Sequence, residues 1–236
     1  MSQHSASPFT ELRVAEVRAE TSELTHVSLT GALQEFLGAF KTPGQYVQIK
    51  TGENKPAFFA IACAPNAGHI ELLIKRGSPV ADAVARLAPG EKLLVSAPGG
   101  KGYPLEQAIG CDLVLIGVGS GIAPLRSVMH RVLERRNEFG RVWFIYGART
   151  SCAIPYQTEM DGWGGRDIQV THICSQPVHG SWPGRVGRVQ DVLLAHPERI
   201  DANSAVFVCG MKAMVEDVKA AVEKLGLARE RVFQNF

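Results

Sequence analysis

The hydrophobic pattern of the chain changes near residue 111, and this change constrains the fold more than any other feature. Before it, six short strand-like segments are separated by Gly, Pro, Asn or Ser, which is typical of a small antiparallel barrel. After it, continuous apolar strands alternate with helical segments, as in a parallel sheet covered on both faces. We therefore predict two domains: an N-terminal six-stranded antiparallel β-barrel over residues 1–106, and a C-terminal α/β doubly wound parallel sheet over residues 107–236.

The local patterns place the individual elements. The predicted barrel strands are ELRVAEV, LTHVSLT, GQYVQIK, AFFAIAC, HIELLIK and EKLLVSA, with one helix over residues 81–87. The strands predicted for the second domain are 113–117, 142–146, 168–174 and 205–209, and its helices are 123–136, 156–163, 189–196 and 211–225.

Composition excludes several classes of protein. The chain has 236 residues, 45% of them hydrophobic and 20% charged, which supports a folded core. A formal net charge of +2 without a basic stripe argues against a nucleic-acid partner. No apolar run approaches the roughly 20 residues of a membrane helix, and the N-terminus lacks a secretory pattern. Five single cysteines without a CxxC pair argue against a disulfide scaffold, a zinc site or an iron–sulfur cluster, so we expect a cytoplasmic protein without a metal site.

The sharpest local motif is GVGSGIAP at residues 117–124, which follows an apolar strand and opens a helix. Glycines let a phosphate approach the backbone, and the start of a helix offers free N–H groups. A tight strand-to-helix turn without a ligand is the alternative, but the strand–helix context favours dinucleotide binding.

Three further segments end predicted strands, where ligands bind in parallel sheets. Arg149, in YGART, could pair with the adenosine half or a 2′-phosphate, and the alternative is a solvated arginine. Ser175 could donate to a phosphate. Cys209 with Gly210 and Met211 would face the ligand crevice, although a cysteine after Val-Phe-Val is more often a small buried hydrophobe.

In the first half, two segments are candidates for contact with a ring, and one is a candidate anion site. Tyr46 lies in PGQYV, and Phe58 and Phe59 are adjacent in KPAFFAIA, where aromatic pairs more often belong to the core. The sequence KRGS at residues 75–78 precedes the helix near residue 81, and its alternative is a basic turn.

Taken in order, these segments resemble the ferredoxin–NADP reductase superfamily: PGQYV, an aromatic strand, KRGS, SAPGGKGYP, GVGSGIAP, YGART, CGM and a final aromatic residue. The resemblance extends from about residue 11 to residue 236. It implies that the barrel holds FAD and that the doubly wound domain holds NADPH or NADH. Hydride would pass from nicotinamide C4 to flavin N5, and electrons would then pass to an acceptor.

The resemblance also assigns site residues. It implies catalytic roles for Cys209, beside the nicotinamide, and for Phe236, stacked over the flavin ring. It implies that Gly117, Gly119, Gly121 and Pro124 hold the pyrophosphate, that Arg149 lies near the adenosine, and that Gly210 lies beside the nicotinamide. Together with the candidates named above, the full set of residues predicted to bind cofactors is Tyr46, Phe58, Phe59, Ala60, Ile61, Lys75, Gly77, Ser78, Gly117, Gly119, Ser120, Gly121, Pro124, Arg149, Ser175, Gly210 and Met211.

One motif departs from the family. Where the family has Arg-x-Tyr-Ser, this chain has Ala57-Phe58-Phe59-Ala60, and Ala81 stands where a Ser begins the next helix. Phe59 keeps a ring face, the backbone N–H groups of residues 60–62 stay available, and Lys55, Lys75 or Arg76 could supply charge for the flavin phosphate.

The leading hypothesis is an NAD(P)H-dependent flavoprotein oxidoreductase that passes electrons to a separate acceptor: a ferredoxin, a flavodoxin, another carrier, or a free flavin or quinone. The alternative is a non-catalytic or regulatory reductase-like binding protein with a weakened flavin site, which the missing Arg-x-Tyr-Ser side chains favour.

Overall fold

The computed structural model of the protein describes residues 9–31, 34–178, 180 and 182–235. It contains two six-stranded sheets that share no strand, the first antiparallel and the second parallel. This confirms the predicted fold class. The sheets are joined by the segment 97–111, which contains the predicted boundary after residue 106; that boundary stays a prediction.

The first sheet has the strand order β4-β3-β6-β1-β2-β5. A bridge between Ile61 and Leu72 brings the end of β4 against β5 and closes the barrel. Its elements are β1 (Phe9–Ala19), β2 (Leu24–Gly31), α1 (Gln34–Ala39), β3 (Tyr46–Lys50), β4 (Ala57–Ala60), β5 (Ile70–Lys75), α2 (Pro79–Val84) and β6 (Lys92–Ser96). The sequence predicted all six strands but not α1, and it placed α2 slightly too late in the chain.

The second sheet has the order β10-β9-β8-β7-β11-β12, with all its strands parallel. Strands β8, β9 and β10 follow one another on one side of β7, and β11 and β12 lie on its other side. The strand order therefore reverses at a switch point between β7 and β11, where Gly117 pairs with Cys209. Ligands bind in the crevice beyond such a point. Its elements are β7 (Asp112–Val118), α3 (Ile122–Glu134), β8 (Val142–Ala148), α4 (Gln157–Trp163), β9 (Ile168–Cys174), β10 (Arg185–Val186), α5 (Val189–Leu194), β11 (Ser204–Cys209), α6 (Lys212–Lys224) and β12 (Val232–Phe233).

Two consecutive polar side chains of helix α3 form ion pairs and hydrogen bonds with the barrel domain. Arg126, buried in the interface, forms ion pairs with Glu71 of β5 and Glu159 of α4 and donates to the carbonyl of Ala62. Ser127 donates to the Cys63 carbonyl at 2.6 Å. The helix that begins at the glycine-rich loop is therefore fixed against the barrel.

The buried charges make the fold sensitive to acid. Burial alone would raise the pKa of Glu71, but the Arg126 guanidinium outweighs it and holds that pKa at about 2, below the ordinary 4.5. Burial also lowers the pKa of His26, which donates to or accepts from the Tyr156 hydroxyl at 3.0 Å. The shift of Glu71 stabilises the fold at neutral pH, and this stabilisation is lost as the pH falls through the acidic range. The shift of His26 adds no stability at neutral pH, but it makes the fold less stable as the pH falls below 6.5, because the buried imidazole resists protonation.

We predict that the free energy of unfolding declines as the pH falls from 4.5 towards 2, because Glu71 must then take up a proton against its ion pair. Denaturant titrations over this range measure the decline. Glu71→Gln is less stable at neutral pH and shows a shallower decline between these two values. A slope that is identical in the two proteins would contradict the assignment.

Candidate functional site

A cleft of about 340 Å³ lies between the domains, at the carboxyl ends of β7 and β11. Strand β4, the end of β5 and the start of α2 form its barrel wall, and the glycine-rich loop and Cys209 form the opposite wall. Thirteen residues line it: Ala57, Phe58, Phe59, Ala60, Leu73, Lys75, Ser78, Ala81, Ser120, Gly121, Ala123, Pro124 and Cys209. Nine of these were predicted site residues.

The glycine-rich loop has one glycine that faces open space and one that is tightly packed. Gly119 has φ +54°, and a Cβ there would meet no atom within 4 Å, so the loop backbone is open on this side. A Cβ on Gly121 would press into the carbonyl of Cys209, which brings the loop close to β11. The Tyr146 hydroxyl donates to the Gly119 carbonyl at 3.0 Å and fixes the loop. This exposed backbone at the start of a 13-residue helix fits a phosphate.

Cys209 is half-buried at the end of β11 and belongs to a small polar network. Its Sγ lies 3.9 Å from Oδ1 of Asn235, whose Nδ2 donates to the Gly44 carbonyl of the barrel at 3.0 Å. Burial raises the pKa of the thiol to about 11, partly offset by a hydrogen bond with Tyr103. The thiol is therefore protonated at neutral pH and is not poised as a nucleophile.

The barrel wall offers one exposed ring. Phe58 is 63% exposed, and the ring of Tyr46 meets it edge-on at 5.1 Å between centroids. Phe59 is only 9% exposed and packs in the barrel core, and Ile61 is fully buried there. Because side chains alternate along a strand, the flat surface that the sequence suggested at Phe59 is provided by its neighbour Phe58.

The remaining predicted residues are not in the lining of the cleft. Arg149 and Ser175 are exposed at the ends of β8 and β9, and the Ser175 N–H donates to the Ala148 carbonyl at 2.9 Å. Met211 is 72% exposed at the start of α6. The other members of this group are Gly77 beside α2, Gly117 in β7 and Gly210 after β11. Phe236 lies outside the described residues.

A larger depression, of about 780 Å³, lies at the opposite, amino-terminal edge of the parallel sheet. Its arginines are largely paired: Arg136 with Asp167 at 3.0 Å, and Arg141 with Asp112. We place the candidate site in the smaller cleft, because it lies at the switch point, where doubly wound sheets bind ligands.

The described residues contain no group of three or more His, Cys, Asp or Glu side chains that could hold a metal ion. No helix among them has both the length and the apolar character needed to cross a membrane.

Sequence reasoning missed four residues that shape the site. Arg126 carried a signal, as a charge within the apolar pattern of α3, and Tyr103 lies within the GKGYP motif. Asp82 and Asn235 carried none, because their partners come from the preceding turn and from the other domain.

The fold and the cleft together define a two-domain protein in which a barrel and a dinucleotide-type sheet share one site. Residues 115–220 match the family model for an oxidoreductase NAD-binding domain. The sulfhydrogenase 1 gamma subunit of Pyrococcus furiosus is 33% identical over 81% of this chain and 66% of its own length. The reductase component of propane 2-monooxygenase from Mycolicibacterium goodii is 30% identical over 81% of this chain and 57% of its own length.

A ferredoxin NADP+ reductase from Neisseria gonorrhoeae, solved with bound FAD and NADP, has a similar fold. Its TM-score is 0.80 at 18% identity, over 98% of this chain and 100% of that one. The chain contains an oxidoreductase NAD-binding domain and has the two-domain fold of the ferredoxin–NADP reductases. It spans 57% to 66% of the length of the first curated relatives that it matches.

Proposed function

We propose that the chain is an NAD(P)H-dependent flavoprotein oxidoreductase, with FAD on the barrel domain and NADPH or NADH on the α/β domain. The observation that carries this proposal is the shared cleft, where the exposed Phe58 ring and Cys209 line one space. A nicotinamide and a flavin must meet face to face for hydride to pass directly, and a cleft between the two domains provides such a meeting place.

The nucleotide side of the proposal rests on the glycine-rich loop. The open backbone at Gly119 and the N–H groups that begin α3 would bind the pyrophosphate, with Ser120 as an additional donor. The strand ends at Arg149 and Ser175 would hold the adenosine half. The neutral thiol of Cys209 would lie beside the nicotinamide and position it.

The flavin side rests on the apolar barrel wall. The face of Phe58 and the small side chain of Ala60 leave room for a flat ring. A bound flavin would supply the redox chemistry, since it accepts a hydride at N5 and releases electrons singly or in pairs. The chain itself binds, orients and shields the two rings.

The acceptor is a separate molecule in this proposal: a carrier protein such as a ferredoxin or flavodoxin, or a free flavin or quinone. One similar protein carries the name reductase component, which supports an electron-transfer role. A cytoplasmic location, without a nucleic-acid partner, stays part of the same proposal.

Arg149 provides a test of nucleotide preference. If its exposed guanidinium binds a 2′-phosphate, Arg149→Ala weakens NADPH binding by about tenfold and leaves NADH nearly unchanged, because only NADPH carries that charged group. Calorimetric titration of both nucleotides measures the difference. Equal losses would indicate contact with the adenine, and no loss for either would make Arg149 a solvated residue.

The overall proposal is tested by steady-state oxidation of NADPH and NADH with added flavin and a panel of acceptors: ferricyanide, a ferredoxin, a flavodoxin and a quinone. We expect nucleotide oxidation that saturates and depends on both the flavin and an acceptor. A protein that binds nucleotide but oxidises none of it under all of these conditions would instead support the regulatory alternative.

A further inference from the structure

The turn at residues 75–78 was a candidate anion site, and in the structure its polar groups already have partners within the protein. The N–H of Gly77 donates to Oδ1 of Asp82 at 3.1 Å. The same carboxylate oxygen lies 3.7 Å from Nε of Arg76. A carboxylate of the chain itself therefore already takes two of the groups that this turn could offer to a flavin phosphate.

The two neighbouring groups are engaged as well. The Ser78 hydroxyl accepts from the N–H of Ala81 at 3.3 Å and caps α2. Nζ of Lys75 lies 3.9 Å from the carboxylate of Glu23. Lys75 is the one charged side chain in the described lining of the cleft. A phosphate arriving here would find both cations already paired with carboxylates, and those carboxylates would repel it.

The part of the cleft where the flavin ring would lie has an exposed aromatic surface that is open to a ligand. Phe58 is 63% exposed and held edge-on by Tyr46, and the wall around it is largely alanine, leucine and proline. An exposed aromatic face in an apolar cleft favours stacking of a flat ring. The site thus offers its binding surface to the ring and little to the phosphate.

We propose that the flavin is an exchangeable substrate recognised by its isoalloxazine ring, so that riboflavin, FMN and FAD bind alike. This inference rests on the proposed function. In the reaction, NAD(P)H, one proton and an oxidised flavin give NAD(P)+ and the two-electron-reduced flavin, which leaves with both electrons. The acceptor is then the free flavin itself.

The first test is equilibrium dialysis of the purified protein against each of the three flavins. We expect three dissociation constants within about fivefold of one another. The three flavins differ only in their phosphate and adenosine groups, and these groups would find few unpaired partners in the site. Protein that retains FAD through purification, or that binds FAD about a hundredfold more tightly than riboflavin, would overturn the inference.

The second test removes the Asp82 carboxylate, which takes two groups of the turn. Asp82→Asn frees Arg76 and removes the repulsion, so FMN and FAD bind about fivefold more tightly while riboflavin is unchanged. The matched control is Asp167→Asn, which removes the same charge at the far edge of the sheet and changes none of the three. An equal gain for riboflavin, or no gain for FMN, would contradict the role given to Asp82.

These outcomes separate the inference from the proposed function. If FAD binds tightly and hydride transfer is normal, only the inference that the flavin exchanges is overturned. A protein that binds NADPH but none of the three flavins would overturn the proposed function as well.

Discussion

Replacing Arg126 with methionine is expected to cost about 3–5 kcal/mol of the free energy of unfolding, because the carboxylates of Glu71 and Glu159 would lose the cation that pairs with both of them in the interface. Each would keep a histidine partner, His69 or His130. The loss also removes the hydrogen bond to the Ala62 carbonyl and the guanidinium that lies 4.6 Å above the Tyr156 ring. Methionine keeps an unbranched apolar stem in the interface, so the loss comes from the guanidinium, with its charge, its hydrogen bonds and its contact with Tyr156.

Denaturant unfolding of Arg126→Met against the unmodified protein measures this cost. The control is Arg131→Met on the same helix, where a more exposed pair with Glu134 is removed and the expected loss is about 0–1 kcal/mol. A loss at Arg126 no larger than that at Arg131 would show that the buried pairs do not stabilise the interface.

Replacing Gly119 with valine is expected to weaken nucleotide binding by about tenfold or more, which is about 1.4 kcal/mol. A side chain there enters the open space in front of the loop, where the account places the pyrophosphate, and it also strains the backbone at φ +54°. Calorimetric titration with NADPH and NADH measures the loss, and the affinity for flavin should stay unchanged.

Gly52→Val is the matched control for backbone strain. Gly52 has φ +52° in an exposed turn of the barrel, and a Cβ there also meets no atom within 4 Å. The two variants therefore share the strain but not the position. If both lower nucleotide affinity equally, or neither does, Gly119 does not mark the phosphate site.

The architecture could be predicted because the hydrophobic pattern differs between the two halves of the chain, with short separated strands in the first and alternating strands and helices in the second. The apolar run that became β7 could only be a strand buried on both faces, and the glycine loop after it fixed the start of α3 to within one residue. The predicted position of α2 was wrong by two to three residues. Ser78 caps the helix and Pro79 begins it, but the prediction followed the spacing of the apolar residues and not these two start signals.

The site was harder to predict, because its details depend on which side each residue faces. Two adjacent phenylalanines must point to opposite sides of β4, but the sequence does not say which ring is exposed and which packs in the barrel core. The pairing of Asp82 with Gly77 and Arg76 likewise needs the turn to be folded before it can be seen. Partners across the domain interface, such as Arg126 and Glu71, are invisible to local patterns.

The central claim is that this cleft brings nicotinamide and flavin together for direct hydride transfer. Anaerobic rapid mixing of the flavin-loaded protein with NADPH, and separately with NADH, tests it by following the visible absorption band of the flavin. We expect the band to bleach at a rate that saturates with nucleotide, and we expect Gly119→Val to need more nucleotide to reach the same limiting rate. A flavin that stays oxidised with both nucleotides, although both are bound, would contradict the claim.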